Sequence, residues 1–480
     1  MRRRDFLKFM GVAAAGLGLQ SVTKAAASRT KPNILLIFAD DLGYGELSAQ
    51  GCLDIPTPNI DSIAKNGMRF TQGYVTHPVC SPSRAGLMTG RYQHRFGFEH
   101  NPGPEAYAEP DFGIEPKEIT IAERLKTFGY KTGLVGKWHL GFRPECQPQA
   151  CGFDEFFGFL SGANNYHADK RKNRRPILNN GEEIQEQEYL TDAFGREAVK
   201  FIEKHKKHPF FLYLSFNAVH APLEATDEDM ARFKEIEDRK RRIYAGMTEA
   251  MDRATGKVLD TLRRLKLEEK TLVFFISDNG GPTSQTTSSN KPLRGYKGQM
   301  YEGGVRVPFI VQWRGKLPAG KVYDYPVSTL DVHATAIAAA EQKILSDWKL
   351  DGVNLLPFLK GKNKKRPHET LYWRVGAKFA IRHGDWKLLL ERDEPEPQLY
   401  NLAADISETK NLAEEKREKT KQLQDLFDHW SSQMEPARWI RRVSRTQADG
   451  KTGRTRGQIT EGEKNIEPRL KPSGQAGDVE

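Results

Sequence analysis

The apolar positions of this chain gather into short runs without polar alternation, the pattern of strands buried on both faces. "PNILLIFADD" predicts a strand at about Asn33–Ala39, and "GYKTGLVGKWH" one near Lys131–Val135. "HPFFLYLSFNAVHAP" predicts another at Phe210–Phe216, and "KTLVFFISDNGG" a fourth at Leu272–Ile276. Helical patterns precede two of them, "TIAERLKTFG" the second and the amphipathic "TEAMDRATGKVLDTLRRLK" the fourth. Strands alternating with helices predict an α/β fold with a doubly wound, mostly parallel sheet. After about Glu369 the texture changes. "ETLYWRVGAKFAIRHGDWKLLLERDEPEPQLYNLAAD" has short alternating segments broken by turn residues, which predicts a small antiparallel sheet. "NLAEEKREKTKQLQDLFDHWSSQM" then predicts an amphipathic helix. The chain thus divides into a main domain, 28–369, a smaller C-terminal α+β subdomain, 370–444, and a polar tail, 445–480, expected to be disordered.

The ends of the apolar runs carry the chemistry. Asp40 and Asp41 end the first, Lys137 and His139 follow the second, His220 follows the third, and Asp278 with Asn279 ends the fourth. Open α/β sheets bind ligands beyond the carboxyl ends of their strands. An Asp at a strand end is often only the N-cap of the next helix. Four such ends converging on one edge predict a site.

The N-terminus, "MRRRDFLKFMGVAAAGLGLQSVTKAAAS", has a basic start, a short apolar run and small residues before Ser28, the form of a signal peptide. The run is too short and glycine-rich for a membrane span. Arg3-Arg4 before Asp-Phe-Leu-Lys resembles a twin-arginine signal, so residues 1–27 are expected to direct export from a bacterium, to the periplasm or beyond. This segment also dissects the formal charge of +11, because Arg2, Arg3, Arg4, Lys8 and Lys24 outnumber Asp5 by four. Residues 435–480 add three more, and the remainder carries a mild excess that suits an anionic substrate. No basic stripe with interleaved aromatics appears, so nucleic acid is not an expected partner. Of four cysteines, Cys146 and Cys151 are close enough in sequence to pair, Cys52 has no obvious partner, and Cys80 is left over.

Cys80 stands in "THPVCSPSRAGLMTGRY". Pro82 fits the first turn of a helix, which puts Cys80 at the helix N-terminus with Arg84 one turn along. A reactive thiolate fits that place, since both features lower a thiol pKa. A structural cysteine fits it equally. Residues of these types in this order resemble the signature of the formylglycine-dependent sulfatases, on the alkaline phosphatase-like fold. "NILLIFADDLGYGELSAQG", "GKWHLG", "SDNGG", "YKGQMYEGGVRVPFI" and "QLYNLAADISETKNLA" are similar to further sulfatase blocks, in the family order.

The resemblance implies that Cys80 is oxidised to formylglycine by a maturation enzyme, and that the hydrated aldehyde is the nucleophile of a two-step, covalent hydrolysis. It implies a calcium ion held by the hard oxygens of Asp40, Asp41, Asp278 and Asn279, with the residue made from Cys80 completing the sphere. Arg84 is then expected to orient the aldehyde, Lys137 and Lys297 to hold sulfate oxygens, and His139 to take a formylglycine proton. His220 is expected to bind sulfate or to protonate the leaving alkoxide. Taken singly, Lys137 reads as a surface charge and His220 as a core histidine.

Long loops between the blocks, Phe142–Pro176 above all, are rich in Asn, Tyr, His, Lys and Arg and point to a sulfated carbohydrate substrate. Arylsulfatase action on small aryl sulfates, and phosphodiester or phosphonate hydrolysis on the same fold, are the alternatives; a glycan-binding protein without activity is the third. Within the loops, His94, Arg95, His100, Asn164, Asn165, Tyr166 and His167 are expected to be plain loop, and His333 and His383 structural.

Overall fold

The computed structural model of the protein describes residues 31–103, 105, 108–171 and 176–439. The expected signal segment and the expected tail lie outside the described residues. Ten strands make one sheet, in the order Lys321–Tyr323, Met68–Phe70, Phe309–Gln312, Thr271–Ser277, Asn33–Ala39, Phe210–Ser215, Lys131–Lys137, Glu155–Phe159, Ile177–Asn179 and Glu182–Ile184. The five from Thr271–Ser277 to Glu155–Phe159 are parallel, and antiparallel pairs border them on either side.

Both faces of this sheet are covered, which is why its strands read as continuous apolar runs. Ile34, Leu36 and Phe38 join Leu272, Phe274 and Ile276 in the core on one face. Leu35 and Ile37 join Val273 and Phe275 on the other, beneath the helices Leu190–His205 and Arg239–Arg264. Each such side chain contributes about 1.5–3 kcal/mol on burial, so polar residues are driven to the strand ends. The second strand is longer than its apolar run. It continues through Gly136 and Lys137, which pair with Gly158 and Phe159, so Lys137 ends the strand rather than following it.

The C-terminal sheet is antiparallel, with strands Thr370–Val375, Lys378–His383, Trp386–Leu390 and Gln398–Asn401 in sequence order. The helix Arg417–Ser431 lays Leu423, Phe427 and Trp430 on Phe379, Ile381, Leu388 and Leu399. Beneath this sheet, fully buried Lys387 lies 2.9 Å from Glu302 and 2.9 Å from Glu408. Cys146 and Cys151 do not pair: all four cysteines are free, and the Cys146 side chain packs against Gly113 and Gly141 instead. Among the described residues no helix is long and apolar enough to cross a membrane.

Candidate active site

Cys80 opens the helix Cys80–Thr89, every residue of which is buried. Four residues on, Arg84 reaches back to the strand ends. Its Nε and Nη2 donate to Asp278 Oδ2 at 3.2 and 2.8 Å, and its Nη1 donates to Ser215 Oγ at 2.7 Å and to the Tyr213 hydroxyl at 3.3 Å. Ser215 in turn donates to the Lys137 carbonyl at 2.7 Å. The two strands approach so closely here that a Cβ on Gly136 would fall 1.8 Å from the Ser215 carbonyl oxygen; Gly136 also has a φ of 118°, in the left-handed region.

Eight of the predicted side chains meet above these strand ends. Lys137 Nζ donates to Asp40 Oδ2 at 2.6 Å, and Lys297 Nζ donates to Asp41 Oδ1 at 2.6 Å and to Cys80 Sγ at 3.2 Å. Cys80 Sγ lies 3.6 Å from Asp40 Oδ1. His220 Nε2 lies 3.6 Å from Asp41 Oδ2. Ligand atoms of Asp40, Asp41, Cys80 and His220 all fall within 4.8 Å of one another. Asp278 and Asn279 close the group, Asp278 Oδ1 accepting from the Asp41 N–H at 3.1 Å and Asn279 Nδ2 donating to Asp41 Oδ1 at 2.7 Å. Asp41 and His139 both hold positive φ, 64° and 63°, at about 1–3 kcal/mol each, strain of the kind that gathers at working sites.

Two oxygens in the group have no hydrogen-bond partner although buried: Asp41 Oδ2 and Asn279 Oδ1. Leaving such an acceptor unmatched costs about 1–3 kcal/mol. Beside Asp40 and Asp278 they make an all-oxygen donor set, which fits a hard divalent cation of the calcium type.

Burial pushes the Cys80 thiol up to about 12, against the pull of Lys137 and Lys297. The helix N-terminus and the nearby cations therefore do not produce a thiolate, because desolvation of the charged form outweighs them. Burial, then the charges of Lys137 and Arg84, hold the His139 imidazole well below its ordinary range, and neither of its ring nitrogens has a partner. Burial also lowers His220, while Asp41 and Asp40 pull the other way. The ammonium of Lys297 is disfavoured by burial, but Asp41 and the neighbouring anionic groups hold it well above the usual lysine range.

A cavity of about 180 Å³ opens on Cys80, His139 and His220; Asn101, Pro102 and Gly103 form one wall, and Ser161, Gly162 and Ala163 another. The segment "GANNYHADK" is thus more than plain loop. Its Ala163 lines the cavity, and the Tyr166 hydroxyl donates to the carbonyls of Asn217 and His220 at 2.6 and 2.8 Å, holding the loop that carries His220. Glu224 ties the two loops again, accepting from Asn165 Nδ2 and from the Tyr166 N–H. His94 packs on Trp430, Arg95 pairs with Asp351, and His333 Nδ1 is bonded to the Met88 carbonyl; all are structural. The sequence reading missed Ser215, Tyr213, Gly162 and Asn101. Ser215 carried a signal, as the polar last residue of an apolar strand; the others carried none.

This fold and this cluster define a hydrolase of anionic esters. The sulfatase family model matches residues 32–342, and a second, for the C-terminal part of N-sulphoglucosamine sulphohydrolase, matches residues 296–434. N-acetylgalactosamine-6-sulfatase of Canis lupus familiaris is 36% identical over 398 residues, 78% of this chain and 74% of that protein. The crystal structure of Ps i-CgsB in complex with k-i-k-neocarrahexaose superposes with a TM-score of 0.82 at 40% identity, over 86% of this chain and 96% of that one. A structure from the metabolism of multiple glycosaminoglycans by Bacteroides thetaiotaomicron follows, with a TM-score of 0.72 at 27% identity, over 84% of this chain and 100% of that one. The chain belongs to the sulfatase family and is a sulfuric ester hydrolase.

Proposed function

We propose that this sulfatase removes sulfate from a sulfated carbohydrate, using a formylglycine made from Cys80 and a calcium ion held by Asp40, Asp41, Asp278 and Asn279. The observation that carries the reading is the convergence of Cys80 Sγ with the carboxylates of Asp40 and Asp41 and with a ring nitrogen of His220 within 4.8 Å. The sulfur stands in for the hydroxyl oxygens of the hydrated aldehyde. Formylglycine supplies a nucleophilic hydroxyl, and the ion supplies charge to offset that of sulfate.

The remaining work falls to side chains. Arg84, fixed by Asp278, Ser215 and Tyr213, orients residue 80. Lys137 and Lys297, both within 2.6 Å of a carboxylate, hold sulfate oxygens. His139, kept neutral by burial, accepts the proton of the residue-80 hydroxyl as sulfate is expelled. His220 Nδ1 donates to the Ala221 carbonyl at 2.5 Å, which leaves Nε2 to carry the proton given to the leaving alkoxide. An anion in the cavity favours the charged imidazole that this step needs.

Carbohydrate is favoured because relatives at 36% and 40% identity are named for, or bound to, sugars. Export by residues 1–27 to the periplasm or beyond, maturation of Cys80 before export, and a division of the chain at 369/370 belong to the same reading. Sulfate release from a panel of sulfated oligosaccharides, beside 4-nitrophenyl sulfate, tests it. A sugar alkoxide needs acid assistance and an activated phenol does not, so His220→Ala should lower sugar turnover about a hundredfold and aryl turnover far less. Release from the aryl ester alone refutes the carbohydrate assignment.

A further inference from the structure

The wall of the cavity away from the chemistry is neutral and small. Asn101, Pro102 and Gly103 face it from one loop and Ser161, Gly162 and Ala163 from another, and among the described residues of this wall none is aromatic or charged. At about 180 Å³ it lies below the 300–1,000 Å³ usual for drug-sized ligands, so it suits one ring rather than several. What the wall offers is hydrogen bonding.

Few side chains can provide it. Ser161 donates its hydroxyl proton to the Ala163 carbonyl at 3.0 Å, and His220 Nδ1 is committed to Ala221. The proline, the glycines and the alanine have no polar side chain. Asn101 differs. Its Oδ1 accepts from the Ser81 N–H at 3.0 Å, and because a backbone N–H can only donate, the carboxamide orientation is fixed. Its Nδ2, with two protons, makes no hydrogen bond among the described residues. Asn101 therefore couples two duties: its oxygen caps the first turn of the Cys80 helix, and its amide nitrogen is an uncommitted donor on a residue that lines the cavity together with Cys80.

Resting on the carbohydrate reading, we propose that Asn101 determines specificity: Nδ2 donates to a hydroxyl or ring oxygen of the single sugar unit that bears the scissile sulfate. The substrate class is then a sulfated residue whose ring fills this cavity and presents an uncharged oxygen to Asn101. The aryl ring of a small aryl sulfate has no hydroxyl or ring oxygen next to the ester, so it gains nothing from the contact.

Asn101→Asp tests this, because it keeps an oxygen for the Ser81 N–H while replacing the donor by an acceptor. Steady-state kinetics are measured on matured enzyme with N-acetylgalactosamine 6-sulfate, κ- and ι-carrageenan oligosaccharides, and 4-nitrophenyl sulfate. The added negative charge repels the single sulfate of N-acetylgalactosamine 6-sulfate and of 4-nitrophenyl sulfate alike, so the informative quantity is the ratio of sugar to aryl kcat/KM for this charge-matched pair. That ratio should fall about tenfold, through KM on the sugar, as expected for one lost hydrogen bond. Asn101→Ala removes the cap as well, and should lower both activities while keeping the same reduced ratio. An unchanged ratio in Asn101→Asp overturns the proposal, and leaves Asn101 a helix cap. Absence of sugar turnover in the wild-type enzyme refutes the carbohydrate reading instead, and the proposal with it.

Discussion

The ammonium of Lys378, in the C-terminal sheet, donates to the carbonyl of Gly298, the residue after Lys297. Glu391, just past the strand Trp386–Leu390, accepts from the Met300 N–H and lies 3.7 Å from the Lys378 ammonium. From the other side, the Gly298 N–H donates to the Pro78 carbonyl at 2.9 Å, just ahead of Cys80. The turn that brings Lys297 to Cys80 is thus clamped between the C-terminal subdomain and the segment leading to Cys80. Lys378→Met should lower kcat/KM about tenfold on sugar and aryl substrates alike, with a melting temperature close to wild type, and Lys378→Arg should recover most of the loss. Kinetics paired with thermal melts check this.

Gly162 leaves room for the His139 imidazole. A Cβ there would lie 2.6 Å from both Cε1 and Nε2 of His139. Gly162→Ala should therefore displace the ring and lower kcat about a hundredfold, since a shift of about 1 Å is enough for such a loss. Cooperative melting of the variant shows that the fold survives.

Calcium held by Asp40, Asp41, Asp278 and Asn279 should stabilise the folded chain, because the unfolded chain cannot gather those ligands. At a hundredfold excess over Kd the gain is about 2.7 kcal/mol. A chelator should lower the melting temperature, calcium should restore it, and Asp278→Ala should abolish the response. Elemental analysis of the purified protein supplies the stoichiometry.

Glu302 and Glu408 should give stability a two-sided pH dependence. Burial opposes the charge of Glu302, but Lys387, Arg306 and Arg382 outweigh it and hold the carboxyl at about 2. A depressed acid stabilises above its ordinary 4.5, and that contribution is lost as pH falls from 4.5 toward about 2. Burial pushes Glu408 up to about 7, only partly countered by Lys387. A raised acid has the opposite sign, so stability declines as pH rises from 4.5 to about 7. Glu408→Gln should flatten that decline in melting temperature. Lys387→Met, which strands both carboxylates, should cost about 3–5 kcal/mol.

Much of this was legible in the chain because burial on both faces forces parallel strands into unbroken apolar runs, and the polar residue ending each run marks the site edge. Asp40, Asp41, Asp278 and Asn279 were found that way, and they do meet. Strand length was less legible. Gly136 and Lys137 lie beyond the apolar run, and only pairing with Gly158 and Phe159 keeps them in the sheet. The support of Arg84 by Tyr213 and Ser215 spans more than 125 residues, and that of His220 by Tyr166 spans 54. Local pattern has no access to such contacts. The ionisation of the Cys80 thiol was left open by the sequence for an energetic reason: helix end and cations favour a thiolate, and only the fold shows the complete burial that outweighs them.

The most direct test is the chemical state of residue 80 in enzyme purified from a host that matures sulfatases. Mass spectrometry of the peptide spanning Thr76–Arg84 is compared with sulfate released per molecule across preparations of differing maturation. The account predicts that the aldehyde form is present, that activity rises in proportion to its fraction, and that Cys80→Ala protein, folded, releases none. Full activity in protein whose residue 80 is entirely unmodified thiol would contradict it.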